Sequence, residues 1–405
     1  MKKITFIHAA DLHLDSPMSG LKHLPEAIFD RLQESTFRAF RKITDEAINR
    51  QVDFLIISGD IFDGEDRSIR AQTRFRKEMD RLFKHDIQVY LIHGNHDHLG
   101  GSWVELNMPA NVHIFRDNVE VLTYNTSEGT SVHLYGFSYV KKHVLERRIN
   151  DYVKKTGADF HIGILHGNHK GNSDHGNYAP FHLRELIEKE FDYWALGHIH
   201  KRTVLSEMPA VVYPGNIQGR HKKETGMKGC YFVSLAGTET KLEFIPASDV
   251  IWEKAELDMA RSEAATFGDL CKLCSMVLED HRHEGLATIL QITLKNVSFE
   301  TQTNVLAEEL LEVLQEQERD EESFVWTASI HIEERIDWDR DRLKSEADFY
   351  SELFNIIDKY DDAEGTLSSL YSHPAARKYL ERLTKSEQSA LIKESEQLLI
   401  RLLYQ

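Results

Sequence analysis

Aspartate, histidine and asparagine recur in five short segments of the first half of the chain: Asp11-Leu12-His13, Gly59-Asp60, Gly94-Asn95-His96-Asp97, His166-Gly167 and Gly197-His198-Ile199-His200. Their carboxylate and carboxamide oxygens and imidazole nitrogens suit Mn, Zn or Fe. Asp11 and His13 stand two apart, so on an extended turn both can converge on one cation. A carboxylate such as Asp60 can bridge two cations, because its oxygens reach both. Two such ions, about 3.5–4 Å apart, stabilise the attacking and leaving oxygens of an in-line displacement at phosphorus. His96 stands next to Asp97, and an imidazole held by that carboxylate can donate a proton or a hydrogen bond to a leaving oxygen. Any one of these histidines alone reads as structural. Together, in order and with glycines at the approach points, they read as a site.

Each segment follows a run that reads as a buried strand: Ile4 to Ala9, Phe54 to Ser58, Val89 to Ile92, Ile162 to Leu165 and Tyr193 to Leu196. Ligand sites in α/β sheets gather at the carboxyl ends of strands, so these runs can deliver the five sets to one edge. Between them, Ile28, Leu32, Phe37, Phe40, Ile43 and Ala47 recur at helical spacing over 26–50, and 69–84 and 144–155 read as further helices. Short strands are expected from Val112 to Tyr139, over 210–213, 230–235 and 241–245. The mixture predicts a four-layer α/β/β/α sandwich over residues 1–248. Composition shifts near Ser248. Helix (266–280), strand (286–296), helix (303–317) and strand (324–333) then predict a small α+β domain over 249–335. Residues 336–405 read as a charged helical segment, broken at Gly365 and His373-Pro374. Leu367, Leu370, Tyr371, Leu391, Leu398, Leu399 and Leu402 supply apolar stripes that must pack on something.

At 405 residues and 41% hydrophobic content the chain can build more than one core. No apolar run approaches the roughly 20 residues of a membrane span. The N-terminal residues lack the apolar core of a secretory signal, and three cysteines favour a reducing compartment. A cytoplasmic protein is expected. The net charge of -17 lies almost wholly in the distal part, where residues 251–405 carry 33 acidic and 17 basic side chains. The first part is near neutral, so a polyanionic substrate is not repelled there.

The order Asp-x-His, Gly-Asp, Gly-Asn-His-Asp, His, Gly-His-x-His resembles the calcineurin-like metallophosphoesterase superfamily. The opening Ile7-His8-Ala9-Ala10-Asp11-Leu12-His13-Leu14, with Ser58-Gly59-Asp60-Ile61-Phe62-Asp63, further resembles SbcD-type DNA-repair exonucleases over most of residues 1–235. The resemblance implies two divalent metal ions, with Mn expected. It implies one metal on Asp11, His13, Asp60 and His200, the other on Asp60, Asn95, His166 and His198, and His96 assisting the transition state. It also implies 3′-to-5′ hydrolysis of DNA ends, a capping role for 249–335, and a homodimer through the first domain. The helical C-terminal segment would pair with a coiled-coil, SMC-like ABC ATPase of the SbcC type. Some nuclease relatives carry histidine where this chain has Asp63, which is expected to stand behind the ligands.

Other features have two readings. Arg220, Lys222 and Lys223, in the loop Pro214–Lys223, either contact DNA phosphates or sit on a solvated surface. Lys141-Lys142 and Arg147-Arg148 read as solvated charge. His166-Gly167-Asn168-His169 echoes His93-Gly94-Asn95-His96, but His93, His169 and His175 read as loop or packing residues. Cys271 and Cys274 read as core positions of an amphipathic helix. The same metal core would also serve a small-molecule phosphodiesterase or phosphatase, or a DNA-end scaffold that needs its ATPase for activity.

Overall fold

Every residue of Phe54–Ser58 is buried, and strands apolar on both faces need cover on both sides. The computed structural model describes residues 2–18, 21, 24–64, 67–104, 106–169, 178–261, 266–297, 303–318, 322–334, 339–373, 376, 380 and 382–403. Strands β1 (Lys3–Ala9), β2 (Phe54–Ser58), β3 (Gln88–Ile92) and β4 (Val112–Ile114) run parallel side by side. The chain then builds a second sheet from β5 (Glu120–Asn125), β6 (Ser131–Gly136), β7 (Phe160–His166), β8 (Tyr193–Gly197), β9 (Thr203–Glu207) and β10 (Ala210–Tyr213). β11 (Gly229–Ala236) and β12 (Glu239–Pro246) return to the first, giving the order β12-β11-β1-β2-β3-β4 beside β5-β6-β7-β8-β10-β9.

Side chains alternate between the faces of a strand, and that period distributes three cores. Ile7, Leu55, Ile57 and Leu91 pack with Phe37, Phe40 and Ile43 of α1 (Glu26–Asn49) and Phe75 and Met79 of α2 (Ile69–Phe83). Ile4, Phe6, Phe54 and Ile56 pack with Leu134, Ile162, Ile164 and Tyr193 between the two sheets. Tyr135, Leu165, Trp194 and Leu196 pack with Tyr152, Phe181 and Leu186, the last from α3 (Leu183–Glu188). Each fully buried side chain of this size contributes about 1.5–3 kcal/mol. The result is the expected α/β/β/α order.

The helix expected over 144–155 is not formed; its only helical residues are a 3₁₀ turn at Arg148–Asp151. Val144, Ile149 and Tyr152 are buried while Leu145 and Val153 are 61% and 66% exposed, which no continuous helical stripe allows. Long-range bonds hold the segment instead: the Val144 carbonyl accepts from Ala179, and the Tyr152 hydroxyl donates to the Ile164 carbonyl.

Beyond the two sheets lie β13 (Val250–Asp258), α4 (Phe267–Asp280), β14 (Ala287–Val297), α5 (Thr303–Gln317) and β15 (Val325–Glu334), the three strands forming a further sheet. Leu270, Cys274 and Leu278 form the buried stripe of α4. The chain divides into two compact units, one of Met1–Ala255, Ala264–Ile292 and Glu308–Ile330, the other of Glu256–Glu263, Thr293–Ala307 and His331–Gln405. The second carries α6 (Arg340–Glu346), α7 (Asp348–Asp358), α8 (Ala363–Thr366), α9 (Ser368–Ser372) and α10 (Lys385–Leu403), and Leu343 of α6, Phe354 of α7 and Ile400 of α10 form its small core. Leu370, Leu398, Leu399 and Leu402 stay exposed. His175 and Pro374 fall outside the described residues. No described helix is long and apolar enough to cross a membrane.

Candidate metal centre

The first two strands stay paired past their ends. Asp11 N–H donates to the Gly59 carbonyl (3.0 Å), His13 N–H to Asp60 (3.0 Å) and Leu14 N–H to Ile61 (2.9 Å). This holds Asp11 and His13 beside Asp60. Asn95 and His96 follow β3, His166 ends β7, and His198 and His200 follow β8. The backbone turns tightly at this edge: φ is 51° at Asp11, 44° at His13, 51° at Asp60 and 97° at His198. Such left-handed conformations cost of order 1–3 kcal/mol each and persist where surrounding bonds enforce them. A Cβ at Gly94 would overlap Asp60 Oδ1 and lie 2.7 Å from His166 Nε2, so only glycine fits there.

Ligating atoms of Asp11, His13 and His200 lie within 4.8 Å of one another, as do those of His13, Asp60 and His96 and those of Asp11, Asp60 and His166. His13 Nε2 stands 3.1 Å from His200 Nε2. Their Nδ1 atoms face Asp63 at 3.0 Å and Glu224 at 2.6 Å. A carboxylate opposite Nδ1 makes that nitrogen the donor, so two Nε2 lone pairs point at each other. On the other side, His166 Nδ1 donates to the Ser58 carbonyl (2.9 Å) while its Nε2 faces Asn95 Oδ1 at 3.0 Å and Asp60 Oδ2 at 3.4 Å. Asn95 Oδ1 is also 3.1 Å from His198 Nδ1. At His13 and His200, acceptor faces acceptor in the neutral rings, which calls for positive charge between them, and the whole donor set fits divalent cations.

The electrostatics agree. Burial opposes charging His166, but Asp60 and Asp11 raise it to about 9. Burial, with the charge of Arg220 behind it, pulls His13 down to about 4. Burial also opposes ionisation of Asp60, yet His166, His13 and His96 hold its carboxyl well below the usual range. Burial lifts that of Asp11. A cation needs neutral imidazoles and ionised carboxylates: His13 and Asp60 already have those forms, and on His166 a cation would displace a proton.

Residues 4–202 match the calcineurin-like phosphoesterase family. The metallophosphoesterase YhaO of Bacillus subtilis is 42% identical over 404 residues, which span 98% of this chain and 97% of that protein. The chain belongs to the calcineurin-like metallophosphoesterases. It is therefore a hydrolase of phosphoester bonds that works through divalent metal ions. The DNA double-strand break repair protein Mre11 of Methanocaldococcus jannaschii is 25% identical over 269 residues, 60% of this chain and 66% of that protein. Mre11 of Thermoplasma acidophilum is 23% identical over 261 residues, 60% of this chain and 65% of that protein.

Within this metallophosphoesterase edge, two expectations need correction. Asp97 does not hold His96. It is fully buried and accepts from His93 Nδ1 (2.9 Å), Ile61 N–H (3.0 Å) and Gly94 N–H (2.8 Å), folding the loop under Asn95. The carboxylate beside His96 Nδ1 is Asp63, at 3.4 Å, and the backbone N–H of His96 donates to Asp60 Oδ1 (2.9 Å). Arg220 does not reach outward for phosphate. Its Nη1 donates to Asp63 (2.9 Å), and its side chain is 14% exposed. Lys222 and Lys223 are exposed. They line a cavity of ≈ 490 Å³ with Trp252, Lys254 and His281.

The sequence reading missed Glu224. Buried, it accepts from His200 Nδ1, from Asn216 Nδ2 (3.0 Å) and from the Arg220 N–H (2.8 Å). Burial opposes its ionisation, but His200 and Arg220 hold it far below the usual carboxylate range. Its only signal was its place at the end of a cationic loop. His93, read as packing, proves to be the partner of Asp97. His169 meets Phe181 through a backbone bridge and a ring contact, as a packing residue does.

Proposed function

We propose that the chain is a two-metal phosphodiesterase acting on DNA ends, with 3′-to-5′ polarity and Mn as its metal. The opposed Nε2 atoms of His13 and His200, 3.1 Å apart, carry the metal part of this reading. Asp11, His13, Asp60 and His200 would hold one ion, and Asp60, Asn95, His166 and His198 the other. When bound, the ions supply Lewis-acid charge to the phosphoryl oxygens and lower the pKa of water. His96, with a side chain 40% exposed, reaches solvent above them. Backed by Asp63, it donates to the leaving sugar oxygen. Asp97 acts through the loop it folds rather than on substrate.

The DNA part rests on likeness to the Mre11 repair proteins and on the cavity lined by Lys222, Lys223 and Lys254, with Glu253 as its one carboxylate. Phosphate neutralised by Lys222, Lys223 and Lys254 would guide a strand towards the metal edge. Residues 1–248 act as the nuclease domain, 249–335 as a cap. The helical segment 336–405, acidic and with exposed Leu398, Leu399 and Leu402, docks a coiled-coil ABC ATPase. A homodimer forms through the first domain, in the cytoplasm.

The purified full chain, given Mn, linear single- and double-stranded DNA and bis(p-nitrophenyl) phosphate, should cleave all three. Hydrolysis of the chromogenic diester with both DNAs left intact would favour the small-molecule reading instead. DNA binding without hydrolysis of anything would leave the scaffold.

A further inference from the structure

His13 and His200 are not backed as His166 is. Behind His13 and His200 stand two carboxylates: Asp63 on His13 Nδ1 (3.0 Å) and Glu224 on His200 Nδ1 (2.6 Å). One guanidinium joins them. Arg220 Nη1 donates to Asp63 (2.9 Å), its Nε lies 4.0 Å from Glu224, and its backbone N–H donates to Glu224 (2.8 Å). The side chains of Asp63, Arg220 and Glu224 are 12%, 14% and 7% exposed. On the other side His166 is backed by a neutral group, the Ser58 carbonyl (2.9 Å), and Asn95 contributes an uncharged oxygen.

We infer that Asp63, Arg220 and Glu224 form a charged clamp that makes the position shared by His13 and His200 the tighter of the two cation sites. This rests on the two-metal reading above and goes beyond it by ranking the positions and naming what ranks them. Buried carboxylates need a compensating cation to stay ionised, and Arg220 supplies it for both. An ionised carboxylate on Nδ1 fixes the tautomer and ring orientation that present Nε2 to a cation, and losing such a partner typically weakens metal affinity 10–100-fold. A backbone carbonyl orients His166 equally well but adds no charge. Asn216, bonded to Glu224 at 3.0 Å, ties the clamp to the start of the cationic loop. These are positioning residues; none of the three touches the reacting atoms.

The test is a titration of the chelator-stripped full chain with Mn²⁺, free ion being followed by its electron paramagnetic resonance signal. Wild type should show two binding classes. Glu224→Gln and Asp63→Asn, which keep size and an acceptor oxygen but remove charge, should each weaken the tighter class about 10–100-fold and leave the weaker class in place. Thermal unfolding in chelator reports whether each variant is folded, and either one suffices for the decision. An unchanged tighter class, or equal weakening of both classes, overturns the clamp. A wild-type chain that binds fewer than two ions overturns the two-metal reading itself, a result the variants cannot mimic.

Discussion

His13 and His200 turn their Nε2 atoms towards each other across 3.1 Å while their Nδ1 atoms are held by Asp63 and Glu224. While both rings are neutral, neither imidazole can donate to the other without abandoning a carboxylate. The arrangement is stable only with positive charge between the rings, and it couples the behaviour of the centre to residues that never meet substrate.

Asp60 and His96 should separate binding from chemistry. Asp60→Asn tolerates the left-handed backbone at this position, where φ is 51°, because asparagine adopts that conformation readily. The variant should stay folded, yet lose Mn-dependent hydrolysis of bis(p-nitrophenyl) phosphate to background. His96→Ala should bind Mn as wild type does and lose about 10²–10⁴-fold in kcat, the usual worth of a general acid. Steady-state kinetics beside the Mn titration measures both. Near-wild-type kcat in either variant refutes the assignment.

Gly94→Ala adds a single methyl group where Asp60 Oδ1 and His166 Nε2 crowd the backbone. Because a carboxylate and an imidazole of the centre must move to admit it, Mn affinity and turnover should fall together. Isothermal titration with Mn²⁺ reads the first, and unchanged affinity would show that the site is looser than its geometry.

His8 should make the protein acid-sensitive. Burial, partly offset by a bond to the Leu196 backbone, lowers its pKa from 6.5 to about 3. Between those values the unfolded chain binds a proton that the folded chain refuses, so stability falls as pH drops from about 6.5 towards 3. Each pH unit in that window costs up to about 1.4 kcal/mol. Urea unfolding at successive pH values should show this slope, and His8→Asn should flatten it. Equal slopes in both proteins would assign the acid sensitivity elsewhere.

Lys222 and Lys223 are the exposed cations of the loop. Replacing both by alanine should weaken DNA binding and make log K less steep against log salt by about 2, one for each phosphate left without its lysine. Hydrolysis of the chromogenic diester should not change, since the diester is too small to reach them. Fluorescence anisotropy over a salt series provides the measurement. An unaltered slope would mean that the loop simply faces water.

The sequence by itself determined the chemistry and where it would gather. Strands such as Phe54–Ser58 are apolar on both faces, which requires layers on each side, and the ligand-type residues stand immediately after them. Position relative to a strand end is local information, so the segments that carry Asp11, His13, Asp60, Asn95, His166, His198 and His200 stand out in the sequence, and the family resemblance singles out these seven within them. What stands behind those residues is not local. Arg220 meets Asp63 across 157 residues, and Glu224 meets His200 across 24. The neighbour of His96 in sequence, Asp97, turns away to His93 because the loop needs its oxygens for the Ile61 and Gly94 amides. The stretch 144–155 likewise abandons a helix once the Val144 carbonyl and the Tyr152 hydroxyl find partners far along the chain, in Ala179 and on β7. Spacing specifies which side chains arrive at the edge; only tertiary packing decides which way each turns and what charge waits behind it.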